Sequence, residues 1–233
     1  LPADSAVVRP LALFEDQGVA GKGIPCVTEQ LAQLPHMDVT RVSGQQVATT
    51  GLRDFDVVIF TGGSASKQSA ALGESGRTEV RRFVDAGGGY LGICAGAYLA
   101  LSGSEKWLGL VDGKTKSPKW QRGVGDVWVE VTPLGAKLVG KPAKSTAVRY
   151  ANGPIFAPAH RDEVPDFEPL ALFRSELAKN GSPPGIMVDS PAMVRGHYGR
   201  GRVVISSPHP EQTAGWEPTV LQIVRWIAGR TSD

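Results

Sequence analysis

The 233-residue chain predicts a three-layer α/β domain built on an open, mostly parallel sheet. Three observations carry that expectation. Short apolar runs of strand length alternate with segments of helical periodicity, an order that lays strands side by side with helices over both faces. One run, Val57-Val58-Ile59-Phe60, is apolar on both faces, as a strand covered from each side must be. The composition, 41% hydrophobic and 21% charged, is that of one globular unit long enough to bury a core without disulfide or metal staples.

Taken in order, Leu11-Ala12-Leu13-Phe14 reads as strand one, and Glu15-Asp16-Gln17-Gly18 as the turn that ends it. A glycine-rich loop over residues 18–23 leads through Pro25 to a helix over 26–34. That loop lacks both the dinucleotide fingerprint and the Walker lysine, so it reads as a connector and not a phosphate cradle. Residues 38–42 alternate as a second strand, and 56–60 make the third, followed by the tight loop Thr61-Gly62-Gly63-Ser64-Ala65-Ser66. A helix over 75–86 carries Val80, Phe83 and Val84 at helical spacing and closes on Gly87-Gly88-Gly89. Tyr90-Leu91-Gly92-Ile93 is the next buried strand; it runs into Cys94 and a small-residue helix over 95–101. Residues 127–131 alternate, and 193–198 with 202–206 form a hairpin around Gly199-Arg200-Gly201. A final helix over 218–228 turns Val220, Leu221, Val224, Trp226 and Ile227 toward the sheet. Residues 114–122 and the proline-rich 152–169 read as long surface loops of the kind that wall a site. No repeat or linker divides the sequence, so residues 1–233 read as a single domain.

Bulk properties exclude several function classes. A net charge of +2, from 25 basic and 23 acidic residues, provides no concentrated basic face, so neither nucleic acid nor an acidic membrane is an expected partner. No apolar run reaches the length of a membrane span. Cys26 and Cys94 are too few for a disulfide framework. The four histidines do not cluster with carboxylates at ligand spacing, so no metal and no other cofactor is expected. The chain opens on Leu1, which leaves removal of a leader and export open and the compartment illegible.

The strongest chemical signal is Gly92-Ile93-Cys94-Ala95-Gly96. A nucleophile between strand and helix, with glycine at both second neighbours, has the form of a nucleophile elbow. Side chains at those glycines would collide with the adjoining strand or helix, and the helix N-terminus favours a thiolate. A small cysteine buried in a close-packed junction is the competing reading. The far end of the chain shifts the balance. In Ser206-Ser207-Pro208-His209-Pro210-Glu211, His209 suits the base that takes the thiol proton, and Glu211 the group that orients it.

The order Cys, His, Glu with a late His-Pro-Glu resembles the class I glutamine amidotransferases. More closely, the chain resembles the amidotransferase-like family found at the N-terminus of eukaryotic biotin–protein ligases and as free-standing bacterial proteins. Phe60-Thr61-Gly62-Gly63, the run Gly88 through Tyr98, Trp120-Gln121-Arg122-Gly123 and Tyr150-Ala151-Asn152-Gly153-Pro154 carry the likeness. It implies a flavodoxin-like sheet. It also implies an oxyanion hole from the amide of Ala95 and the Gly62-Gly63 loop, where glycine lets backbone approach the substrate. Amidotransferases feed ammonia to a synthetase domain, and no such domain is expected in these residues. Gly199-Arg200-Gly201-Arg202 mimics the ligase's biotinyl-adenylate loop, but its place in a hairpin turn makes it a decoy.

Tyr98, Tyr150, Asn152 and Trp120 are candidate pocket residues, with packing and turn chemistry as the alternative for each. Cys26 lines the pocket, pairs with Cys94 under oxidation, or is a half-buried helix cysteine, the last being favoured. His160 and His197 are assigned nothing, and His36 is expected to be exposed. The expectation is a cysteine-dependent amidase or hydrolase using Cys94, His209 and Glu211 on a C–N or acyl bond of a small-molecule or peptide-like substrate. The alternatives are a non-catalytic ligand-binding or regulatory module, and a relative acting on reactive carbonyls, which Ala95 after the cysteine disfavours.

Overall fold

The structure, a computed structural model, describes residues 10–33 and 37–229. His36 and Leu34, the end of the first expected helix, lie outside them. Strands and helices alternate through the first half: β1 (Leu11–Phe14), α1 (Gly23–Ala32), β2 (Val39–Val42), α2 (Gly44–Thr49), β3 (Val57–Phe60), α3 (Ala65–Asp85), β4 (Gly89–Ile93) and α4 (Ala95–Ala100). The second half is richer in strands: β5 (Gly113–Thr115), β6 (Val124–Val131), α5 (Pro133–Val139), β7 (Ser145–Ala151), β8 (Phe156–Pro158), β9 (Glu168–Phe173), β10 (Pro191–Tyr198) and β11 (Gly201–Ser206). A 3-10 turn, Pro210–Gln212, and α6 (Glu217–Ile227) follow.

Nine strands form one sheet in the order β2-β1-β3-β4-β11-β10-β9-β6-β7. The first five are parallel; beyond β11 every pairing is antiparallel, and only β10 and β6 run against the other seven. This is the mixed, mostly parallel sheet of a three-layer α/β fold.

Side-chain alternation splits the core in two. Leu11, Leu13, Val57, Ile59, Leu91 and Ile93 pack with α1, α5 and α6 on one face. Ala12, Phe14, Val58, Phe60 and Tyr90 pack with α2, α3 and α4 on the other. On that second face Phe14, Phe60 and Tyr90 stack as a ladder, with centroids 4.7 and 5.5 Å apart. Successive residues of a strand point to opposite faces, so a strand between two helical layers must be apolar throughout. All four residues of β3 are accordingly buried.

Several expectations needed correction. The helix expected over 75–86 begins ten residues earlier, at Ala65, and bends at Gly73 (φ 64°, ψ −175°); its polar first half masked it. In α6, Ile223 faces the core where Leu221 was expected, because 220, 223, 224 and 227 form the true helical stripe. The two long loops are partly ordered: β5 pairs with β8, and β9 begins inside the second of them. Helix α2 was unforeseen although its signal was present. Ser43 Oγ accepts from Gln46 N at 3.2 Å while Ser43 N donates to Gln46 Oε1 at 2.8 Å, a reciprocal capping box. The β10–β11 hairpin turns at Gly199 and Arg200 against the end of α3, where Arg200 N donates to Asp85 O at 3.0 Å. That turn lies at the opposite end of β11 from His209.

The antiparallel half curls back over the parallel half. β7 is five places from β4, roughly 24 Å in a flat sheet at ~4.8 Å per strand. Yet Cys94 Sγ, just past β4, lies 3.3 Å from Ala151 O at the end of β7. The curl is held at three points. Trp216 Nε1 donates to Ala147 O at 2.9 Å, Arg149 N to Thr213 Oγ1 at 3.0 Å, and His209 N to Arg149 O at 2.7 Å.

Candidate active site

Cys94 occupies the single residue between β4 and α4, with φ 53° and ψ −98°. A side chain at positive φ is strained, so the surrounding packing must impose it. The flanking glycines show how. A Cβ on Gly92 would stand 2.4 Å from Gly96 O, and one on Gly96 would stand 2.2 Å from Phe60 O. Cys94 N donates to Ser206 O at 2.8 Å, joining the turn to the end of β11. The thiol, 7% exposed, donates to Ala151 O.

The loop after β3 approaches from one side. Ser64 N donates to Gly18 O at 2.7 Å and Ala20 N to Gly62 O at 3.1 Å. Gly63 holds φ +135°, and a Cβ there would meet Gly18 O at 1.9 Å. Gly62 and Gly63 keep their own N–H groups uncommitted among the described residues, and both line the cavity with Ala95. Gly62 also lies against the imidazole: a Cβ there would be 3.0 Å from His209 Cε1.

His209 and Glu211 arrive from the end of β11. His209 Nδ1 and Glu211 Oε1 are 2.8 Å apart, with the side chains 6% and 0% exposed. Gln212 Nε2 donates to the same Oε1 at 2.8 Å and lies 3.1 Å from Nδ1; an ionised carboxylate can only accept, so the short contact with Glu211 is assigned to an Nδ1 proton. Burial alone would lower the His209 pKa. Hydrogen bonding to Cys94 and Glu211, with the charges of both, outweighs burial and pushes it up to about 10. The Glu211 backbone is tied to α1, where Gln30 Nε2 donates to its carbonyl at 2.8 Å. Its Oε2 is buried without a hydrogen-bond partner.

Around Cys94 opens a pocket of about 670 Å³. Tyr98, Trp107, Trp120 and Asn152 line it, and Tyr98 and Trp107 lie tilted 6.2 Å apart. Tyr98 donates from its hydroxyl to Asn152 O at 3.3 Å. Tyr150 stands behind that wall, fully buried, its hydroxyl donating to Gly153 O, and does not line the cavity. Burial holds the phenols of Tyr98 and Tyr150 neutral, well above the usual tyrosine range. Cys26 is a free, half-buried cysteine of α1 that does not line the cavity. Burial first, and then the charge of Glu211, raise its thiol pKa. His197 packs edge-on against Trp226, 5.8 Å between centroids.

Among the lining residues that escaped the sequence are Gln212 and Arg149. Gln212 follows Glu211 directly and reads as loop decoration. Arg149 stands on β7, where Val148 and Tyr150 face the core and Arg149 and Ala151 face the cavity. That two-residue alternation was its one local signal.

Residues 11–109 match the family model described as biotin-protein ligase, N terminal. A chain of PurLQS from Thermotoga maritima is similar at 15% identity and TM-score 0.67, covering 94% of this chain and 99% of that one. A protein from Thermoplasma acidophilum, described as one subunit of a GMP synthase, matches at 16% identity and TM-score 0.59, with 95% and 94% covered. A β-galactosidase from Bacillus circulans shares the fold over 94% of this chain and 31% of its own, at 13% identity and TM-score 0.55. No curated protein matches the sequence. Identities this low establish the fold alone, which is glutamine amidotransferase-like.

Proposed function

From a chain that is an amidotransferase-like module by fold, we propose a cysteine-dependent amidase or acyl hydrolase in which Cys94, His209 and Glu211 act as a triad. The observation that supports this most is the His209–Glu211 pair, 2.8 Å apart and buried, beside a cysteine held in a strained strand-to-helix turn that opens on a cavity. The turn is read as a nucleophile elbow. Cys94 thiolate attacks the carbonyl carbon, and the amides of Ala95 and the Gly62-Gly63 loop hold the oxyanion. His209, oriented by Glu211, gives its proton to the departing nitrogen, leaving a Cys94 thioester and free amine. His209 then takes a proton from water, the hydroxide attacks the thioester, and a carboxylic acid leaves with the thiolate restored. The net reaction is hydrolysis of one C–N bond.

The test is alkylation of purified protein by iodoacetamide with mass spectrometric readout, wild type against His209→Ala. Selective labelling of Cys94 over Cys26, slowed when His209 is removed, is expected. Against any amide the protein turns over, Cys94→Ser and His209→Ala should each lower kcat by about 10²–10⁴-fold. If Cys94 stays inert, or labels equally without His209, catalysis is excluded. A ligand-binding module is then the reading, and Cys94→Ser should leave its affinity unchanged.

A further inference from the structure

Arg149 lines the cavity half-buried, and its guanidinium makes no hydrogen bond or ion pair among the described residues. Its backbone is pinned on both sides: N donates to Thr213 Oγ1 at 3.0 Å, and O accepts from His209 N at 2.7 Å. The Arg149 main chain is therefore tied directly to that of His209. Arg149 and His209 are the basic side chains among the described lining residues, which include no carboxylate.

A second positive charge stands behind the same wall. Arg122 is 1% exposed; its Nη2 donates to Pro183 O at 3.0 Å and lies 3.7 Å from Glu176 Oε2, while Nε and Nη1 have no partner. Its field partly offsets the burial that raises the pKa values of Tyr98 and Tyr150, and Tyr98 lines the cavity. Within the same lining, Tyr98 and Trp107 form an aromatic corner, and Trp120 is 53% exposed. A pocket of about 670 Å³ is the size of a small-molecule site.

We propose that this cavity selects substrates bearing a carboxylate, received by Arg149, and a flat apolar group, received by Trp107 and Trp120. A planar guanidinium with all its donors free matches a carboxylate two bonds at a time, and half-burial protects that pair from solvent screening. A half-exposed tryptophan face gains by covering itself with a planar apolar partner. This deepens the amidase reading and rests on the cavity being its substrate pocket.

The probes are the near-isosteric 2-naphthoate, an anion, and 2-naphthamide, which is neutral, measured by calorimetry against the Cys94→Ser protein so that the amide cannot acylate Cys94. The naphthoate should bind about tenfold tighter. Arg149→Ala should erase that preference with naphthamide affinity little changed, Arg149→Lys should retain part of it, and Trp120→Ala should weaken both ligands. In wild type, naphthoate should protect Cys94 from iodoacetamide. Equal affinity for the two ligands, a preference that survives Arg149→Ala, failure of both to bind, or binding without protection each overturns the proposal. His209-dependent labelling of Cys94 by iodoacetamide alone is read independently, so the selectivity can fail while the triad stands.

Discussion

At His209 the influences oppose one another: burial against the imidazolium, and the neighbouring Cys94 and Glu211 in its favour. The partners prevail, and the folded pKa rises from 6.5 to about 10. A raised pKa means that protonated His209 stabilises the fold. That contribution is fully present below pH 6.5 and is lost as pH climbs through about 10. The melting-temperature gap between wild type and His209→Gln should therefore be widest near pH 6 and shrink toward pH 10. Ring resonances in an NMR titration should place the His209 midpoint far above a free imidazole's, and Glu211→Gln or Cys94→Ser should each bring it down. A midpoint near 6.5 in wild type would sink this account. Gln212 belongs to the same scale: its amide on Glu211 Oε1 keeps the carboxylate turned to Nδ1.

Among the elements, the β4–α4 junction is closely constrained on both sides of Cys94. Its geometry comes from three backbones in contact: β3 at Phe60, the start of α4 at Gly96, and β4 at Gly92. Gly96→Ala puts a methyl group 2.2 Å from Phe60 O, and neither backbone can yield without disturbing the aromatic ladder beneath. Overpacking of this kind costs about 1–3 kcal/mol. The variant should melt measurably lower and label more slowly at Cys94, since the start of α4 must shift. Wild-type melting in Gly96→Ala would show the junction to be looser than the packing implies. Capping explains where the unforeseen helices sit: Ser43 and Gln46 start α2, and Thr132 Oγ1 accepts from Gly135 N at 2.9 Å to start α5.

For the molecule as a whole, the site closes only because the sheet curls. Its parallel half supplies Cys94, the glycine loop and His209; its far edge strand supplies Arg149 and the Ala151 carbonyl. An edge strand has one neighbour, so β7 should open more readily than β3 or β4, which are paired on both sides. Hydrogen exchange should show β7 amides exchanging before those of β3 and β4. In low urea, the His209 dependence of Cys94 labelling should fade together with β7 protection, before β4 exchanges. Loss of both strands in one step would show that the two halves unfold as a unit.

The residues themselves determined the alternating α/β order, the strand-to-helix cysteine and the His-Pro-Glu partners. Each of these is a local pattern: apolar runs, glycines two residues either side of Cys94, and two side chains two positions apart. Even there, local pattern misled where polarity hid a helix, as in the first half of α3, or where one charge or proline interrupted a strand. Arg149 obscured β7 and Pro169 obscured β9 in this way. What the tertiary structure alone decided was which distant residues meet. Cys94 and Ala151 are 57 positions apart, and their 3.3 Å contact exists because an antiparallel extension twists back over a parallel sheet. Twist accumulates over many strands, and no window of sequence contains it. The unpaired Arg149 beside His209 and the Ala151 carbonyl at Cys94 are consequences of that accumulated twist.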